Sequence, residues 1–151
     1  MTAERAEATQ ELNLGLLCYI AYRAVETRVM AAVRSAGFDD ITVAQARLFA
    51  RIGPDGTRLT DLAEQAQVTK QTAGFLVDQL ERCRYVSREP DPADARARLV
   101  RIAPRGLAAV EVARRAEAEV EAEWTRHLGR QATAGLRRAL SRLREITDPY
   151  Q

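Results

Sequence analysis

Apolar positions recur at three- and four-residue spacing along most of the chain, which predicts a mainly α-helical protein. From residue 11 to 34, Leu14, Leu17, Cys18, Ala21, Val25 and Val29 form one stripe separated by Arg23, Glu26 and Arg28. This reads as a long amphipathic helix, ended near Gly37. "TVAQARLFARI" opens a second helix, since Thr42 and Gln45 stand at capping-box spacing. Gly53-Pro54-Asp55-Gly56 then breaks the chain. "TDLAEQAQ" predicts a short helix with Thr60 as its N-cap, and Thr69 caps another, "KQTAGFLVDQLERCRY", whose Ala73, Leu76, Val77, Leu80 and Cys83 share an inner side. Two short helices joined by a tight turn form a helix-turn-helix pattern. Pro104 suits the first turn of a helix to about Leu128, with Leu107, Val110, Ala113 and Val120 as its apolar stripe. Gly129 punctuates, and "ATAGLRRALSRLREI" forms a last helix.

Between the helices, "YVSREPDPADARARLVRI" alone reads as a hairpin, with short strands at 85–88 and 98–102 around a turn rich in Pro, Asp and Ala, and with Arg96 near its tip. The formal charge of the 151 residues is only +2, so the location of the cations matters more than their number. Arg82, Arg84, Arg88, Arg96, Arg98, Arg101 and Arg105 face only Glu89, Asp91 and Asp94 within 82–105, while acids gather from Glu111 to Glu123. An apolar fraction of 46% with 29% charged residues excludes a disordered chain, and the length fits one domain with a sizeable core, or a small domain with helical extensions, rather than two full domains. No run approaches the roughly 18 apolar residues of a membrane span, and the Met1, Glu4, Glu7 start is unlike a signal peptide, so a cytoplasmic location is expected. Cys18 and Cys83 lie far apart with no CxxC, which argues against a disulfide scaffold or a cysteine zinc site.

The opening turn of the Lys70 helix presents unbonded backbone N–H groups and the positive end of a dipole, which suits a phosphate. Lys70, Gln71 and Thr72 have the reach to touch major-groove edges, where Gln pairs with adenine, Lys with guanine, and Thr contacts a thymine methyl. Arg96 on the hairpin could enter the adjacent minor groove, whose narrow A·T tracts attract arginine, with Asp94 steadying it.

The stretch "LTDLAEQAQVTKQTAGFLVDQLERCRYVSREPDPADARARLVRIAPRG" resembles the MarR family of winged helix-turn-helix transcription regulators: a leucine-alanine helix, a capped recognition helix ending in Leu-Glu, a wing with Asp-x-Arg and a closing Pro-x-Gly stand in order. The resemblance implies a winged helix-turn-helix with a two-stranded β wing, and a helical dimerisation layer from both termini. It divides the chain into a DNA-binding region at 37–103 and a dimerisation region at 1–36 and 104–151. It places Thr69, Lys70, Gln71, Thr72, Arg88, Asp94, Arg96 and Arg98 at the DNA. The implied activity is that of a homodimeric regulator, more specifically a repressor, on a pseudo-palindromic duplex. Two departures stand out: Ala95 replaces an arginine common in the family, and "AGF" at 73–75 replaces a more polar or β-branched triplet.

Resemblance further implies a small aromatic or phenolic ligand between the first helix, the second helix and the helix after the wing, with Tyr19, Tyr22, Arg23, Arg47 and Phe49 as candidates. "LLCYIAYR" resembles the peroxide-sensing branch, in which a cysteine at the place of Cys18 is oxidised and a tyrosine, matched by Tyr22, hydrogen-bonds it; the rival reading makes Cys18 a small hydrophobe of a dimer core. An enzyme is not expected. His127 is the only histidine, the serines are Ser35, Ser87 and Ser141, and no phosphate-cradling glycine loop is present; neither a cofactor nor a metal is implied. A winged-helix protein-interaction module is the remaining alternative, disfavoured by the polar and cationic Lys70, Gln71, Thr72 and Arg96.

Overall fold

The computed structural model describes residues 11–150, so the first ten residues of the expected dimerisation region lie outside the described residues. Among the described residues, six helices and three strands follow in the order α1 (Leu14–Ser35), α2 (Val43–Phe49), β1 (Thr57–Arg58), α3 (Leu59–Gln65), α4 (Lys70–Arg82), β2 (Val86–Asp91), β3 (Asp94–Ile102), α5 (Pro104–Leu128) and α6 (Arg130–Thr147). The fold is mainly helical, with a winged helix-turn-helix at its centre. Among the described residues no helix is long and apolar enough to cross a membrane.

Local chemistry explains most helix starts. Asn13 caps α1 by accepting from the Leu16 N–H at 2.9 Å. Thr42 Oγ1 accepts from the Gln45 N–H at 3.2 Å while Gln45 Oε1 accepts from the Thr42 N–H at 3.0 Å, completing the capping box. Pro104 opens α5, and Gly129, at φ 86°, turns the chain into α6. The start of α3 differs from the sequence reading. Its N-cap is Arg58, without a side-chain bond, and Thr60 lies inside the helix. The reason is β1, which pairs Thr57 with Val100 and Arg58 with Leu99 and carries extended backbone straight into Leu59.

The wing therefore rests on a three-stranded antiparallel sheet, order β1-β3-β2, rather than on two strands. Its strands are also longer than expected and meet at a two-residue turn, Pro92 and Ala93. Register runs from Val86 opposite Ile102 to Pro90 opposite Arg98, then jumps so that Asp91 faces Asp94. Residues 95–97 are consequently a bulge on β3, and this bulge carries Arg96.

Leu48, Leu62, Leu80, Val77, Tyr85 and Val100 are the largest fully buried side chains, and they gather α2, α3, α4 and the sheet around one core. In α5 the inward residues are Gly106, Ala109, Ala116 and Val120, while Leu107, expected inside, is 54% exposed. Small residues face inward because the helix start lies close against the wing base: a Cβ on Gly106 would overlap the Tyr85 carbonyl oxygen and stand 2.9 Å from Ile102 Cγ2. Arg105 fixes the same junction. It donates to Asp40 at 2.9 and 3.1 Å and to the Cys83 carbonyl at 2.6 Å, and its guanidinium lies 4.4 Å from the centre of the Tyr85 ring. Tyr85 donates its hydroxyl to Asp40. The Arg105 bonds, followed by that of Tyr85, hold the Asp40 carboxyl down at about 2.

The outer helices contrast with this core. No residue of α6 is buried, and every residue of α1 from Leu14 to Ala24 is exposed.

Candidate nucleic-acid interface

Helix α4 has two chemically distinct sides. Ala73, Leu76, Val77 and Leu80 are buried against the core, whereas Lys70, Gln71 and Thr72 are exposed in the first turn. Thr69 Oγ1 accepts from the Thr72 N–H at 3.1 Å and lies 2.9 Å from the Thr72 hydroxyl, so the cap also orders the third residue of the turn.

The same helix carries Asp78 and Glu81, whose charges oppose a polyanion. Arg88 on β2 reaches back to both, with Nη2 2.7 Å from Asp78 Oδ1 and Nη1 3.2 Å from Glu81 Oε1, while its own backbone N–H donates to Glu81 Oε2 at 3.0 Å. Its side chain is 21% exposed. Sequence placed Arg88 at the DNA. The structure pairs it with both acids of α4, because β2 leaves α4 through a tight turn and runs back alongside it.

In the wing, Asp94 Oδ1 accepts from the Arg96 backbone N–H at 3.0 Å, so it shapes the bulge rather than gripping the guanidinium. Arg96 and Arg98 are exposed. The turn itself is held by Asp91, a residue the sequence reading passed over. Its Oδ1 accepts from the Ala93 N–H at 2.9 Å, and its Oδ2 receives Arg58 Nε at 2.8 Å and Nη2 at 2.6 Å. Although only 8% exposed, Asp91 keeps its carboxyl below the usual range, first through the Ala93 N–H and then through Arg58. An Asp accepting from the amide two residues on is a turn signal that sequence could have given. Its partner, 33 residues earlier, carries no such mark.

Residues 39–97, which span α2 to the bulged start of β3, match the family model described as MarR family. Solved structures agree over nearly the whole chain. A transcriptional regulator from Thermotoga maritima is 27% identical, with TM-score 0.62 over 89% of this chain and 92% of that one. Residues 39–97 thus carry the MarR-family pattern, and the chain as a whole is similar in fold to these regulators. Apo MarR from E. coli shares the fold at 22% identity and TM-score 0.69, over 89% of this chain and 98% of its own. A MepR variant from S. aureus, bound to an oligodeoxyribonucleotide, shares it at 20% identity and TM-score 0.58, over 90% and 99%. No curated protein matches.

The residues that the MarR resemblance offered for a ligand separate in space. A cavity of about 360 Å³ lies between α1, α2 and α5, lined by Val29, Met30, Ala46, Phe49, Ala109 and Val110 among others, with Arg114 and Glu117 supplying its charge. Of the five candidates only Phe49 lines it. Tyr22 and Arg47 are drawn elsewhere by Glu26, which accepts the Tyr22 hydroxyl at 2.7 Å and Arg47 Nε and Nη2 at 2.7 and 2.9 Å. Glu26 was missed because its partners lie on both helices. Arg47, ahead of Tyr22, holds its carboxyl down at about 2. Burial, then Glu26, raises the Tyr22 hydroxyl. Tyr19 and Arg23 are exposed on α1 away from the cavity lining. Cys18 is exposed, and the bond expected between it and Tyr22 is replaced by the one to Glu26. Cys83 packs partly buried against the core, and burial raises its thiol.

Proposed function

We propose that this chain is a homodimeric, sequence-specific repressor that occupies a pseudo-palindromic duplex and is released by a small ligand. The observation that carries this reading is the distribution of charge on α4 and the wing. Lys70, Arg96 and Arg98 are exposed and make no ion pair among the described residues, whereas the acids of the same helix are neutralised by Arg88. Thr69, Lys70, Gln71 and Thr72 form the major-groove contact, and Arg96 and Arg98, set by Asp94, form the wing contact. The DNA-bound MepR variant supports the same use of the fold. MarR-family proteins are transcription regulators, and an enzymatic reading has no support in the residues.

Residues 37–103 form the DNA-binding region, and 1–36 with 104–151 the dimerisation layer. Support comes from the apolar side chains that α1 and α6 leave in solvent, Leu14, Leu17, Leu136, Leu140 and Leu143 among them, a larger set than a stable monomer displays. The cavity against Phe49 takes the ligand, with Arg114 suited to a small aromatic acid. Ligand entry changes how α1 and α5 pack, which alters the separation of the two recognition helices.

Selection from random-sequence duplexes tests the reading. Binding should fall steeply with salt, and Arg96→Ala should weaken it about tenfold with the dimer intact. Equal affinity for single strands, or a salt-independent constant, would refute it. Arg88 offers a sharper check. Arg88→Ala uncovers two carboxylates and should weaken duplex binding roughly fivefold at 0.1 M salt. The triple variant that adds Asp78→Asn and Glu81→Gln should recover wild-type affinity in fluorescence anisotropy. If it stays weak, Arg88 touches the DNA itself.

A further inference from the structure

The recognition helix carries one residue that its other chemistry does not explain. Phe75 is 58% exposed, three and four residues after Thr72 and Gln71, and so lies on their side of α4. All other large apolar side chains exposed among the described residues belong to α1, α5 and α6 or lie within three residues of their ends. Between Arg23 and Gly106, Phe75 stands alone. Terminal helices leave apolar surface for a second copy of the chain; Phe75 sits instead in the unit proposed to meet DNA.

Its surroundings are cleared of obstacles. Asp78, three residues further along the helix, is held by Arg88 at 2.7 Å, so the ring is not flanked by an uncompensated anion. Gly74 leaves the preceding position bare, and nothing inside the protein demands it: an added Cβ would meet Leu59 Cδ2 at 3.7 Å, an ordinary contact. The helix backbone beside the ring is thus free to come close to a neighbour.

A phenyl ring neither donates nor accepts a hydrogen bond of ordinary strength. In the major groove the purine edges and the cytosine amine are polar, and the apolar group is the 5-methyl of thymine. We propose that Phe75 is a specificity-determining residue that packs on a thymine methyl, fixing a T·A pair in each half-site beside the bases met by Gln71 and Thr72. This rests on the DNA-binding reading above and adds what that reading leaves open, the base at one position.

Deoxyuridine provides the test, because it keeps the pairing and the minor groove and removes only the methyl group from the major-groove edge. The duplex most enriched from a random pool is resynthesised with each thymine in turn replaced by deoxyuridine, and affinity is read by anisotropy. For the unaltered protein, substitution at one thymine per half-site should lower affinity about fourfold, the value of one buried methyl. Phe75→Ala should lose that sensitivity and keep the others, while Phe75→Leu should retain part of it; an unchanged melting temperature shows that both variants fold. Indifference to every deoxyuridine, or a sensitivity that survives in Phe75→Ala, would overturn the assignment. Failure to enrich any duplex would instead defeat the DNA-binding reading, a distinct result.

Discussion

Gly106→Ala is expected to destabilise the protein by about 3 kcal/mol, at the upper end of overpacking effects. The new methyl would overlap the Tyr85 carbonyl oxygen and stand 2.9 Å from Ile102 Cγ2 and 3.1 Å from Phe49 Cε2. None of these can retreat freely. The Tyr85 carbonyl already accepts the Ala103 N–H at 2.9 Å, Tyr85 itself is fully buried, and Phe49 is packed into the core. Relief therefore requires α5 to lift from the wing base, which stretches the Arg105 bonds to Asp40 and to the Cys83 carbonyl. Urea denaturation measures the loss; a change under 1 kcal/mol would show that the junction is looser than its geometry states. Alanine is otherwise the better helix former by roughly 1 kcal/mol, so the sign of the result separates packing from propensity.

Leu143→Asp should act on assembly rather than on folding. The side chain is half-exposed on α6, a helix with no buried residue, so the isolated chain loses little when it becomes charged. In a dimer closed through α1 and α6 the carboxylate would be desolvated without a partner. Sedimentation should show a monomer at micromolar concentration where the unaltered protein is dimeric. Affinity for a two-half-site duplex should fall roughly 100- to 10,000-fold, because linked recognition by two units is lost. A variant that remains dimeric with undiminished affinity would place the interface elsewhere.

Helices were legible where a stripe and a cap coincided. The Thr42 and Gln45 box and the Thr69 cap both formed, and the inward set Ala73, Leu76, Val77 and Leu80 of α4 is buried. β1 was not legible, since two residues are too few for a period, and its presence moved the start of α3 away from Thr60. An apolar stripe through the large residues of α5 predicts Leu107 inside; close approach selects small residues, and Gly106 and Ala109 occupy that side. Ionic partners were the least legible features. The turn alone could suggest Asp91, but nothing local marks Arg58, Glu26 with Arg47, or the diversion of Arg88 to Asp78 and Glu81. A count of arginines in 82–105 therefore overstates the cationic face, because Arg88, Arg101 and Arg105 are each paired within the fold.

Helix α5 runs 25 residues from the wing base without interruption, clamped at its first turn by Arg105 and by the close seat of Gly106. At 1.5 Å per residue it is a rod of roughly 37 Å, so a tilt of about 5° at one end sweeps the other through about 3 Å. Stiffness at the clamp means that such a tilt is not absorbed as local bending but delivered to the winged unit as a whole. The fold thereby has mechanical gain: a displacement of about 1.6 Å near the middle of the rod doubles to about 3 Å at its end, a misfit comparable to a base-pair rise.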